Sequence, residues 1–427
     1  MNLLRPICAI VAAVAIAALA GCQTAPQAPK PVPAPPVAEK PPGPPATHPM
    51  LSEEPGFLRL PNTPAGKNPV RVGLLLPFSN GSSQTRYLAT AMMKAAQLAL
   101  FDANNPDLML ISADEGSTPE SAANGARSLL AQGAEVIVGP LFSASVSAVA
   151  PIAHDRAVPV IAFSTDVKTA GNGVYLLSFQ PENEVRRTVS YAVQTGHKHF
   201  AALVPATAYG DHIADALKAD TAALGADVVD VERLDASTQA AALHNIAASN
   251  ADVLIVAAGG NALRALAPAL AENGIDRGKI KLMGTGLWDD PAIQKEVALE
   301  GGWFAAPAPD ADSSFNAKYK AAYGSEPPQL ASLAYDAVSL VALLAQGTPY
   351  HRFTDSALTD PNGFAGVEGI LRFDPDGTSE RGLAILAVEP DGFRVVDPAP
   401  RTFEKPAAPP PEKTTSALTP RSPQSGG

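Results

Sequence analysis

From residue 70 to residue 344, short apolar β-type runs alternate with longer stretches of helical spacing, and few architectures accept that rhythm. Val70-Arg71-Val72-Gly73-Leu74-Leu75-Leu76-Pro77 reads as a buried strand, 91–102 as a helix, 108–113 as a strand and 120–132 as a helix closed by Gly133. Strand 135–138, a helix from 146 and strand 158–163 follow. The pattern then restarts: helix 182–195, strand 199–205, helix 211–224 closed by Gly225, strand 228–233, helix 239–249, strand 252–257, helix 262–272 and strand 280–284. Apolar runs without internal alternation suit strands covered on both faces. The reading is therefore an α/β fold of two similar lobes, each a parallel sheet flanked by helices.

After strand 303–306 come helices 315–323 and 329–344, and then the pattern changes. Runs 369–373 and 383–388 flank Asp374-Pro375-Asp376-Gly377, and Pro390-Asp391-Gly392 leads into 393–396, so both turns read as hairpins. The two aspartates lack the rest of a calcium-loop ligand set, and no metal is expected. Lobe 1 is expected to comprise 70–178 and 309–347, and lobe 2 residues 179–308 and 348–397. Roughly 330 residues exceed what one core usually serves.

The ends of the chain say where it works. Arg5, the apolar run 7–20 and a small-residue end describe an export signal over 1–21, too short to span a bilayer and stay. Leu19-Ala20-Gly21-Cys22 resembles a bacterial lipobox, which implies lipidation of Cys22 and a membrane anchor. Residues 22–69 are Pro-rich and poor in large apolar side chains, and 398–427 share that character, so both read as disordered. The only other cysteine, Cys8, lies inside the signal, so the exported fold stands without a disulfide. A net charge of −11 argues against nucleic acid as a partner.

The most informative turn is Gly139-Pro140-Leu141-Phe142-Ser143-Ala144-Ser145, between a strand and a helix start. Free amides at such a helix end, with the hydroxyls of Ser143 and Ser145, make a polar cup for an anion. The same serines also suit a plain helix cap. Asp114-Glu115 follows a strand, where it could form a carboxylate pair at a cleft, but the preferred reading is a solvated turn; His197 and His199 lack the company a metal site needs. No nucleophile elbow, phosphate loop or zinc-protease motif occurs, so neither catalysis nor a cofactor is expected.

Four markers carry a family resemblance: 139–145, Val158-Pro159-Val160-Ile161-Ala162-Phe163-Ser164, Ala208-Tyr209-Gly210, and Ala331-Ser332-Leu333-Ala334-Tyr335-Asp336-Ala337. With the two-lobe rhythm they resemble the type I periplasmic binding proteins, closest to the leucine/isoleucine/valine-binding branch. Gly73-Leu74-Leu75-Leu76-Pro77-Phe78 also resembles the penicillin-binding protein activators of this fold. The resemblance implies that a ligand cleft lies between the lobes, that Ser143 meets a ligand carboxylate, that Ser164, Thr165 and Asp166 form a second binding turn, and that Tyr209 faces the cleft. In amino-acid binders an acid in the turn after strand 280–284 pairs with the ligand ammonium; here Gly286 stands near that place, with Trp288 and Asp289 as the remaining cleft candidates. The expectation is a non-enzymatic periplasmic lipoprotein, held at the outer membrane and regulating a peptidoglycan synthase. The alternative is the substrate-binding protein of an ABC transporter for amino acids or amides, partnered by a permease.

Overall fold

The computed structural model describes residues 57–63, 68–235, 237–348 and 351–403. The export signal, Cys22 and most of the expected tether and tail lie outside the described residues. The first lobe is built from β1 (Phe57–Arg59), β2 (Val70–Leu76), α1 (Ser83–Ala103), β3 (Leu108–Asp114), α2 (Pro119–Ala131), β4 (Val136–Val138), α3 (Ser143–His154), β5 (Val160–Ala162) and β6 (Val174–Leu176). Its sheet has the order β1-β3-β2-β4-β5-β6, parallel except for β1. Strand β1 corrects the sequence reading, which placed 22–69 in a disordered tether. Phe57 and Leu58 pack against the two cores of this lobe while their backbone extends the edge of β3.

The second lobe follows with α4 (Pro181–Gln194), β7 (His199–Pro205), α5 (Ala208–Ala223), β8 (Asp227–Leu234), α6 (Gln239–Ala248), β9 (Val253–Val256), α7 (Gly260–Glu272), β10 (Lys281–Gly284) and β11 (Trp303–Ala306). The chain returns through α8 (Ser313–Tyr323) and α9 (Ala331–Leu344) to the first lobe, where Leu333, Val338 and Val341 pack with Leu74, Met92 and Leu98. Each such fully buried aliphatic side chain contributes about 1.5–3 kcal/mol relative to exposure. A short helix α10 (Asp355–Leu358) precedes β12 (Phe364–Gly366), β13 (Gly369–Phe373) and β14 (Ser379–Arg381), which form a separate antiparallel sheet. Finally β15 (Ala384–Glu389) and β16 (Gly392–Asp397) join the second lobe's sheet, order β16-β15-β11-β10-β9-β7-β8.

Local chemistry explains the element ends. Thr118 and Ser121 cap α2 reciprocally with Pro119 in its first turn, Ser82 caps α1, and Gly324 ends α8 in a left-handed turn. Two expectations near the C-terminus are corrected. The Asp374–Gly377 turn does make a hairpin, but its return strand is Ser379–Arg381; the run 383–388 pairs instead with β11 and β16. Phe353, Leu358, Phe364, Leu371 and Phe373 pack in the first lobe's core, so this stretch of the segment assigned to lobe 2 lies with lobe 1. Likewise Phe403, in the expected tail, lies under the Arg372 guanidinium at 4.5 Å.

Candidate functional site

In each sheet the strand order reverses once beside its first parallel strand, at β2 in one lobe and β7 in the other. The chain leaves β2 and β4, or β7 and β9, in opposite directions, and a crevice opens at their carboxyl ends. In the first lobe that crevice is a cavity of about 550 Å³. Gln84, Thr85 and Leu88 of α1 line it with the turns after β4, β5 and β6 and with Leu330 and Leu333 at the start of α9. Ser143, Ser164, Thr165 and Asp166, separated by over twenty residues of sequence, all reach this one cavity. Within it Ser164 Oγ accepts the Asp166 N–H at 3.1 Å, and the Asp166 carboxylate accepts the Lys168 N–H at 3.1 Å.

The turn after β4 is not the open cup that its sequence suggests. Helix α3 begins at Ser143, with Phe142 at its cap position and no side-chain cap. The amides of Leu141 and Phe142 donate to the two carboxylate oxygens of Glu115 at 2.9 and 3.1 Å, and Ser145 adds its hydroxyl. Glu115 is fully buried, which corrects the expectation of a solvated turn at 114–115. Burial pushes its carboxyl above the usual range, while the Leu141, Ser145 and Phe142 donors pull it back. Ser145 is itself buried against Glu115 and leaves the list of cleft residues. The protein's own carboxylate thus fills half of the anion cup.

The second lobe presents a different face. Tyr209, in the first turn of α5, shares a 2.8 Å hydrogen bond with the Thr285 hydroxyl after β10. Beside them Glu184 of α4 accepts the Gly286 N–H at 2.7 Å. A β-carbon placed on Gly286 would come within 2.5 Å of the Glu184 carboxylate, so an acid 102 residues away stands where a side chain at 286 would begin. Glu182, two residues earlier in the same turn, bonds His212 at 2.7 Å, and Asp289 is exposed nearby. Trp288, expected in the cleft, is instead fully buried, its indole N–H donating to Val256 O at 3.1 Å. Gly284 and Gly302 make room for that ring.

Burial, aided by the charges of Glu182 and Asp289, pushes Glu184 up to about 8, against the pull of the Gly286 amide. The sign of the consequence is fixed. The unfolded chain ionises this group near 4.5 and the folded one near 8, so stability falls as pH rises between those values and is level above them. The melting temperature is expected to drop from about pH 5.5 to about pH 8. Glu184→Gln should flatten that slope in thermal denaturation; an unchanged slope would show that other groups set it.

A two-lobed α/β module with a switch point at the carboxyl ends of the parallel strands in each lobe defines the class of protein by its fold. Residues 69–392 match the model of the periplasmic binding protein family, three quarters of the chain, and the chain belongs to that family. Its fold is shared with a branched-chain amino acid ABC transporter periplasmic ligand-binding protein from Burkholderia xenovorans, at 20% identity and TM-score 0.63, covering 78% of this chain and 96% of that one. It is shared too with an ABC transporter solute-binding protein from R. palustris in complex with benzoate, at 19% identity and TM-score 0.55, covering 78% and 97%. A third is a branched-chain amino acid substrate-binding protein from Streptococcus pneumoniae in complex with isoleucine, at 21% identity and TM-score 0.53, covering 77% and 100%. No curated protein matches the sequence.

Proposed function

We propose that this chain is the solute-binding component of an ABC transporter, tethered in the periplasm through Cys22 and closing its lobes on a small solute by hinge motion. The observation that carries the reading is the cavity at the first lobe's switch point, where Ser143, Ser164 and Thr165 converge beside Leu88, Phe163 and Leu333. A few converging polar groups in an apolar crevice are what small-solute recognition requires. The solved relatives named above, two of them holding small carboxylic acids, support the same role.

The regulator reading drew on the missing acid at Gly286. Glu184 supplies an acid in that place from another helix, and this moves the weight toward a bound solute. A pull-down of the full lipoprotein from solubilised membranes is expected to recover an ABC permease. Recovery of a bifunctional peptidoglycan synthase without any permease would overturn the transport reading and restore the regulator.

A further inference from the structure

Charge around the two crevices restricts what the solute can be. On the first-lobe side two turn amides and a serine hydroxyl are already committed to Glu115, so a solute carboxylate on Ser143 would sit beside a buried carboxylate with no intervening cation. Like charges in a poorly solvated site repel strongly. Among the described residues no Lys, Arg or His lines the cavity, and Asp166 does. Basic side chains on neighbouring elements have partners of their own or are exposed to solvent. Arg86 donates to the Asn80 and Gly81 carbonyls, Arg381 is buried against Asp336, His212 pairs with Glu182, and Lys168 is exposed.

The second-lobe side carries the complement. Among the described residues the Glu184 carboxylate has one hydrogen-bond partner, the Gly286 N–H, and no cation. A carboxylate oxygen of Glu182 is buried without a partner. Independently of these acids, Ser178 in the cavity wall is 1% exposed and its hydroxyl has no partner, an orphan that a solute would satisfy. From Ser178 the backbone runs through Phe179 and Gln180 directly into the first turn of α4, which bears Glu182 and Glu184. The chain that lines the cavity at Ser178 and Phe179 thus continues into the helix turn that carries the two acids.

We propose that the solute is an amine, a cation with a bulky apolar body and no free carboxylate, its ammonium held by Glu184 and its apolar part lodged against Leu88, Phe163 and Leu333. This deepens the solute-binding reading and rests on it. Glu184, neutral near pH 7 with no cation beside it, gives up its proton when an ammonium arrives.

Four compounds sharing an isobutyl group test this by calorimetry on the full chain at about pH 7, where both amines are protonated: isoamylamine, leucinamide, leucine and isocaproate. Isoamylamine and leucinamide are expected to bind at least about tenfold more tightly than leucine, and isocaproate to give no heat. Glu184→Gln, which keeps an acceptor for the Gly286 amide, is expected to weaken the amines by about tenfold or more while leaving the circular dichroism spectrum unchanged. Tighter binding of leucine or isocaproate than of isoamylamine would overturn the amine inference and leave the solute-binding reading standing. So would amine binding that Glu184→Gln does not weaken. Silence from all four also overturns the amine inference, and the solute-binding reading is then decided by the permease pull-down.

Discussion

Arg381→Met is expected to cost about 3–5 kcal/mol of stability at neutral pH, because it strands two buried acids. Arg381, on β14, lies with its guanidinium 4.7 Å from the centre of the Phe179 ring and 3.7 Å from Asp336 of α9. Both side chains of that ion pair are 2% exposed. Glu368, in the turn between β12 and β13, is equally hidden, and both its oxygens and all three guanidinium nitrogens lack hydrogen bonds. One positive charge thus balances two negative ones where the small sheet, α9 and the crossover between lobes meet. Burial pushes Asp336 up to about 6 and Glu368 up to about 7; Arg381 and the Val367 amide pull Asp336 down, and the nearby Ser332 hydroxyl and then Arg381 pull Glu368 down. Without the guanidinium both values climb further, so the unfolded state, which ionises these groups near 4, is favoured most at high pH. Urea denaturation at about pH 7.5 should therefore show a larger deficit than at about pH 5. A loss below about 1 kcal/mol, or one independent of pH, would mean that solvent reaches the cluster and the charges are not truly confined.

The strands and helices could be read from the sequence because their signal is local. Short apolar runs such as Val136–Val138, set between helical stretches, specify a buried parallel strand without knowledge of any partner. Where competition between distant segments decides, the reading failed. Leu383–Val388 outbids Ser379–Arg381 as a strand by composition, yet the hairpin closes on the polar segment because the apolar run is claimed by β11. The site divides in the same way. Ser143 stands out because it follows a strand end, whereas Ser164, Thr165 and Asp166 come from the family resemblance; all four line the one cavity. Glu115 reads as solvated and Glu184 carries no signal of its own, since each acquires its meaning from an amide turn 26 or 102 residues away. Trp288 looked like a cleft residue because it sits in a turn; only the absence of side chains at Gly284 and Gly302 reveals the slot that buries it. Glycines opposite an aromatic residue in a turn are a signal that was present in the sequence and unused.

Gly139→Ala is expected to be as damaging as loss of Arg381, at about 3–5 kcal/mol, and to abolish any solute response. Gly139 links β4 to the turn that places Ser143, at φ +98, a region that alanine enters only under strain. Strain alone is a modest penalty, about 1–2 kcal/mol. The larger part is collision: a β-carbon at 139 would stand 2.0 Å from the Leu75 carbonyl oxygen, and that carbonyl belongs to the neighbouring strand β2. Nor can residue 139 retreat, because its amide is bound to Ile161 O at 2.8 Å on the other side. Gly173→Ala separates the two contributions. Gly173 has φ +86 but nothing within 4 Å of the new methyl group, so it should pay the strain only. Equilibrium unfolding of the pair is expected to place Gly139→Ala at least about 2 kcal/mol below Gly173→Ala. Equal losses would show that β2 and β4 yield at their ends, and that the turn presenting Ser143 is held by Glu115 and not by close contact with the sheet.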